Sequence, residues 1–329
     1  MMKRASKILI TAIIMLLSLG ALVMTASAES IDLQKSASLK IVYRHNNENC
    51  EGLDIEIYRV ASVKDGYTFL LEAPFNNYSV NINDVQSQEE WRSIAITLSS
   101  YAIADNITPT AKQTTDTNGI AEFKNLRPGM YLTLGVRKVA DGKIVIFEDF
   151  LTVIPGRSDT DGSYMYDLTV YPKSRTFTPK DGTVPYKVIK QWKDNGKNEN
   201  RTKSVEIDIF KNGALSKTVT LSAENNWMYS WRADNDGSDW RVVERNVPDG
   251  YYVNIFAEDT TLIVTNTFDK TSEDNPDIPP DTPPDNHPDD DPDVPQTGDT
   301  NSIELYIIIA CVSGILIIIL SLYKKRKDL

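Results

Sequence analysis

Three polar residues stand where strand alternation should bury them. Tyr186, Val188, Lys190 and Trp192 recur at every second position, as do Trp240, Val242 and Glu244, and again Leu262, Val264, Asn266 and Phe268. Along an extended strand every second side chain points to the same face. If the apolar members of these sets face a core, Lys190, Glu244 and Asn266 face it with them. An isolated ammonium or carboxylate is so costly to bury that it pairs or gives up its charge. Burial moves a lysine pKa down and a carboxylic acid pKa up. A neutral amine, a protonated acid and an amide carbonyl held in a dry core are the reagents of acyl transfer. The Lys190 amine would attack the Asn266 side-chain carbonyl while Glu244, the catalytic candidate, polarises the oxygen and shuttles protons. Ammonia leaves, and an isopeptide bond joins the two side chains. Holding the partners in place can supply on the order of 7 kcal/mol or more of the acceleration. The competing arrangement is a buried Lys190–Glu244 ion pair with Asn266 as a hydrogen-bonding neighbour.

The elements that must position these groups are strands. In 184–269, Val205, Ile207 and Ile209 alternate, Asn212-Gly213 signals a tight hairpin, residues 218–221 continue on the return strand, and no helix is evident. Upstream, in 29–173, Leu39, Ile41 and Tyr43 alternate, as do Leu53, Ile55 and Ile57. Trp91, Ile94, Ala95, Leu98 and Tyr101 then fall at helical spacing, which predicts one short helix over 89–104. Strand patterns resume at 120–124, 130–137, 143–154 and 164–171, with turns at Asn118-Gly119, Pro128-Gly129 and Asp141-Gly142. No second reactive set emerges here: Lys40 lies on the face opposite Leu39 and Ile41, and 130–136 holds no Glu. Residues 174–183 are expected to be a linker. Just before them, Lys173 follows Tyr171-Pro172, and proline fixes the backbone while ending sheet pairing. That places a primary amine on a rigid, exposed strand end; a plain surface lysine is the bland alternative.

The two ends carry processing signals. Lys3, Arg4 and Lys7 precede an apolar segment and a small-residue site ending at Ala28, which predicts a signal peptide over 1–28. Near the other end, Val294-Pro295-Gln296-Thr297-Gly298 is followed by an apolar run at 303–323 and by Lys324-Lys325-Arg326-Lys327. Such a run is long enough to cross a bilayer as a helix, with the basic cluster held on the cytoplasmic side. Residues 270–293 are rich in Pro and Asp and lack Lys and Arg beyond Lys270, the composition of an extended, self-repelling spacer. The formal charge of −11 makes nucleic acid and anionic membrane poor partners. With Cys311 in the apolar run, Cys50 is alone in the exported part, so no internal disulfide can staple it. His45 and His287 lie far apart, which argues against a His-based triad or zinc site, and no metal or cofactor is expected.

The terminal pattern resembles the cell-wall sorting signal of Gram-positive surface proteins, with Val294 in place of the Leu of Leu-Pro-x-Thr-Gly. The resemblance implies that a sortase cuts between Thr297 and Gly298 and passes the Thr297 carboxyl to an amine, so that 294–329 is the sorting signal. Residues 115–131 resemble the strand-turn-strand core of prealbumin-like, SpaA-type pilin domains, and Tyr164 to Lys173 resembles the backbone-pilin motif ending in Val-Tyr-Pro-Lys. In that family the motif lysine, here Lys173, accepts the acyl group of the next subunit. Residues 184–269 resemble a Cna-B domain through Val188-Ile189-Lys190-Gln191-Trp192, Asn225-Asn226-Trp227, the stretch 240–251 and Ile263-Val264-Thr265-Asn266-Thr267. That resemblance implies the Lys190–Asn266 crosslink with Glu244 as its promoter. Together they imply a mainly all-β chain of two tandem immunoglobulin-like or prealbumin-like β-sandwiches, the first with one short helix. The expected role is a structural, non-enzymatic subunit of a sortase-assembled pilus at the cell surface, secreted and anchored to peptidoglycan. Its partners would be a sortase, other pilin subunits and peptidoglycan, with a host-surface ligand as a further one. The alternative is a monomeric wall-anchored adhesin.

Overall fold

Alternating residues give strands such as Ala37–Val42 and Ile120–Leu126 one apolar face, and these faces close on a shared core. The computed structural model describes residues 30–269 apart from 195 and 197–199. The first assembly comprises β1 (Ala37–Val42), β2 (Asp54–Lys64), β3 (Thr68–Leu71), the helix α1 (Gln88–Ala104), β4 (Ala111–Thr114), β5 (Ile120–Leu126), β6 (Gly129–Thr133), β7 (Arg137–Ala140), β8 (Lys143–Phe147), β9 (Phe150–Ile154), β10 (Asp167–Val170) and β11 (Ser174–Phe177). Its sheets run in the orders β10-β1-β5, β9-β6-β2-β3 with β4 also on β2, and β11-β8-β7. Leu39, Ile41, Ile55, Ile57, Phe123 and Phe147 pack together without solvent exposure worth the name.

Three strand expectations change. Segment 164–171 splits, residues 164–165 pairing with 156–157 and β10 with β1. Segments 130–137 and 143–154 are each broken into two strands, because their halves join different sheets: β6 pairs with β9, and β7 with β8. The break is held by Asp149, whose Oδ1 accepts the Gly135 N–H at 2.7 Å. Alternation continues across such a break, so hydrophobic periodicity does not register it. Residues 174–183 are also not a plain linker, since β11 pairs antiparallel with β8 and belongs to the first assembly.

The second sandwich contains β12 (Thr183–Lys193), β13 (Ser204–Lys211), β14 (Ala214–Ser222), β15 (Met228–Asp234), β16 (Trp240–Glu244), β17 (Tyr251–Glu258) and β18 (Thr261–Phe268). Its sheets run β15-β12-β18-β17 and β14-β13-β16. Asn212 and Gly213 close the β13–β14 hairpin with φ of 50° and 81°, the left-handed region that these two residue types tolerate. The first and last strands, β12 and β18, lie side by side in parallel, with Lys190 opposite Val264 and Trp192 opposite Asn266.

The helix joins the two assemblies. Ser87 caps it by accepting the Glu90 N–H, and Glu89 and Glu90 suit the positive end of its dipole. From Ser93 to Ala104 it carries no charged residue, as a helix packed on several sides requires. It lies against β6 and β9 of the first assembly and against β16 and β17 of the second. Those last two are the edge strands of their sheets, so α1 covers an open side of the second sandwich. Ile94, Leu98 and Tyr101 share one buried cluster with Val188, Val242, Ile255 and Val264, and all of these elements fall in one compact unit. The described fold is therefore mainly β, with α1 as its α-helix.

No helix among the described residues is long and apolar enough to cross a membrane. The signal peptide expected at 1–28, the spacer at 270–293, the pentapeptide Val294 to Gly298 and the apolar run at 303–323 all lie outside the described residues.

Candidate functional site

Lys190, Glu244 and Asn266 meet inside the second sandwich. Lys190 comes from β12 and Asn266 from its neighbour β18, while Glu244 ends β16 on the opposing sheet and reaches across the core. Their relative exposures are 3%, 1% and 0%, which leaves no water path to the group. Asn266 Nδ2 donates to Glu244 Oε1 at 2.8 Å. Lys190 Nζ lies 3.6 Å from Glu244 Oε2 and donates to the Gln191 carbonyl at 3.0 Å. Lys187 is exposed, as its place on the other face requires.

Burial governs the charges. It pushes the Lys190 ammonium down to about 8 against the opposing pull of Glu244. It also raises the Glu244 carboxyl, again against the charge of its partner. Both shifts favour the neutral amine and the protonated acid. Glu244 Oε2 and Asn266 Oδ1 are buried without a hydrogen-bond partner among the described residues. Turned over about its last torsion, the Asn266 amide would set Oδ1 on a protonated Glu244 and expose its carbonyl carbon to the amine. The structure thus brings the three side chains together, with Lys190 and Glu244 as a buried ion pair and Asn266 hydrogen-bonded to the acid.

Residues 186–267 match the family described as the Cna protein B-type domain. The second sandwich is the part of the chain similar to a Cna B-type domain. Further likenesses cover more of the chain. It is 28% identical over 194 residues to a collagen adhesin of Staphylococcus aureus, a match that takes in 56% of this chain and 15% of the adhesin. The chain thus spans a small part of that relative's length. Among solved structures, a single B repeat unit of the collagen-binding surface protein of S. aureus is 18% identical, with 71% of this chain and 98% of that one covered at a TM-score of 0.25. The full-length major pilin SpaD from Corynebacterium diphtheriae is 15% identical, with 72% and 65% covered at a TM-score of 0.29.

Several residues around Lys190, Glu244 and Asn266 were not singled out from the sequence. The alternation that marks Lys190 and Trp192 as inward continues to Asp194, which is 3% exposed. Arg201 grips Asp194 through Nε and a second nitrogen at 2.5 and 2.7 Å and holds its carboxyl down at about 2. The Trp192 ring lies 4.2 Å from Lys190 Nζ and packs edge-on against Trp227 and Tyr251, walling off the amine. Tyr101, from α1, donates its hydroxyl to the Glu244 backbone carbonyl at 2.7 Å. The signal for the helix residues was the uncharged stretch 93–104.

Lys173 lies apart from this group. It is exposed three residues beyond β10, and its carbonyl accepts the Glu148 N–H at 3.3 Å. A cleft of about 380 Å³ opens beside it, lined by Trp91, Arg92, Glu148, Tyr171 and Pro172. No cluster of His, Cys, Asp and Glu among the described residues could hold a metal ion.

Proposed function

We propose that the chain is a structural subunit of a sortase-assembled surface fibre. Its B-type domain is stapled by a Lys190–Asn266 isopeptide bond that Glu244 promotes, and Lys173 is the acceptor for the next subunit. The observation that carries this reading is the contrast between two lysines. Lys190 is sealed beside an acid and an amide, whereas Lys173 is exposed beside Pro172 at the rim of a cleft. An amine in the first setting can act only on its own chain, and one in the second can be reached by another protein. A sortase would act at Val294 to Gly298, joining Thr297 either to Lys173 of another copy or to peptidoglycan, which places the protein on the cell surface. Glu244 would act once, on its own chain, so the protein is not an enzyme that turns over.

A second reading, a monomeric wall-anchored adhesin, draws on the name of the collagen adhesin relative. Lys173 separates the two. Cells making the wild-type chain should show a ladder of high-mass species that survives boiling in detergent, and Lys173→Ala should collapse it to monomer. A ladder that persists in the variant would move the acceptor elsewhere. No ladder in either strain would favour the adhesin.

A further inference from the structure

Glu244 is fixed from outside its own sandwich. It ends an edge strand, β16, which pairs on one side with β13, where Ile207 stands opposite Glu244. The ladder bond at this end runs from the Arg245 N–H to the Glu206 carbonyl, and antiparallel bonding alternates along a strand. The Glu244 carbonyl is taken by the Tyr101 hydroxyl at 2.7 Å. Tyr101 is itself 3% exposed and stacks on Tyr78 with ring centroids 4.3 Å apart. On one side of Glu244, Arg245 reaches Asp105 at the end of α1 at 2.6 Å and Asp208 of β13 at 2.6 Å. On the other, Arg241 enters the first assembly to meet Asp149 and Ser99 at 2.9 and 2.6 Å. Anchors at positions 241, 244 and 245 thus hold the strand end that bears the acid, and each has its partner in the first assembly.

We infer that Tyr101 is a positioning residue for isopeptide formation, so that the crosslink forms at full rate only when α1 has docked on the B-type domain. The inference rests on the proposed Lys190–Glu244–Asn266 chemistry. Glu244 must meet both the departing amide and the attacking amine, and acyl transfer is sensitive to displacements of about 1 Å. A strand end tethered on one side only would let the carboxyl drift. The crosslink would then mark chains whose two assemblies have come together, before a sortase joins them.

The test follows ammonia loss by intact mass after pulsed cell-free synthesis of residues 29–269, the two assemblies together. Tyr101→Phe keeps the ring on Tyr78 and removes only the hydroxyl that holds Glu244. It should slow the reaction on the order of tenfold or more. Ser93→Ala removes a different bond between α1 and the second sandwich, from Ser93 Oγ to the Ile255 carbonyl at 3.0 Å, and should leave the rate unchanged. Melting curves in a Glu244→Ala background show whether either change alters folding. In a Lys190→Met background, carboxyl carbon resonances should show Glu244 titrating closer to an ordinary carboxylic acid once Tyr101 is Phe, which a mere loss of stability would not produce. Equal rates for wild type and Tyr101→Phe overturn the inference and leave the crosslink standing, as does equal slowing by Ser93→Ala. A wild-type chain that never loses ammonia overturns both.

Discussion

At the scale of single residues, the chemistry turns on where two protons sit. The reactive pair is the neutral amine with the protonated acid, a tautomer of the ion pair at the same total protonation. Its share is therefore constant between the two apparent pKa values of the pair and falls outside them. The rate of ammonia loss should follow a bell in pH, with the alkaline limb near the Lys190 value of about 8. A rate that rises steadily through pH 10 would contradict a proton carried by Glu244. Stability tells the same story where reaction is blocked. In Asn266→Ala the folded Lys190 titrates below its unfolded value of about 10.4, so the unfolded chain binds more protons between the two. Stability should rise with pH over that window and be at its penalised level below it. Glu244, raised in the folded state, works in the opposite sense: its contribution is lost as pH climbs out of the ordinary carboxylate range. Adding Lys190→Met should abolish the alkaline rise, as denaturant midpoints across pH would show. The meeting of Lys190, Glu244 and Asn266 was legible because alternation is a short-range property of each strand. Tyr101 was not assigned to Glu244, because a bond spanning 143 residues of sequence leaves no local pattern.

At the scale of elements, the bond would tie the first strand of the B-type domain to the last, across adjacent parallel strands. By analogy with a disulfide closing a loop of this length, it should stabilise by about 4 kcal/mol, read as a higher melting temperature than that of Glu244→Ala. The helix α1 ties the same domain to the first assembly. Its apolar spacing was legible, but its buried Ser93 and Thr97 were not, since small hydroxyl residues also suit an exposed face. They are inside because Ser93 donates to the Ile255 carbonyl and Thr97 accepts the Ile255 N–H. Strand breaks at Gly135 and Asp149 stayed hidden for the related reason that partner exchange between sheets leaves alternation intact. Asp149 also meets Arg241 in a nearly buried pair, with side chains 6% and 11% exposed. Arg241→Ala strands that carboxylate and should cost about 3 kcal/mol in a denaturant melt. A loss below about 1 kcal/mol would mean that Ser99 and the Gly135 N–H satisfy Asp149 without it.

At the scale of the whole molecule, the two assemblies share a buried cluster through α1 and should unfold together. Calorimetry of uncrosslinked Glu244→Ala is expected to show one transition, and Leu98→Ala, a cavity in that shared cluster, should lower it by about 2–5 kcal/mol. Two transitions, with only one moved by Leu98→Ala, would mean separate cores. The sequence divides at 174–183 by composition and proline, and nothing in a binary pattern shows that a helix from one half covers a sandwich edge in the other. Covalent staple and shared core would serve one end, a rigid unit that passes load along a fibre. The rigid unit depends on the staple, and the intact mass of purified residues 29–269 shows whether it forms. Wild type should be lighter than its sequence by one ammonia, with a protease fragment linking Lys190 to Asn266, and Lys190→Ala and Glu244→Ala should have their full mass. A wild-type chain at full sequence mass would leave Lys190 and Glu244 as a buried ion pair and contradict the account.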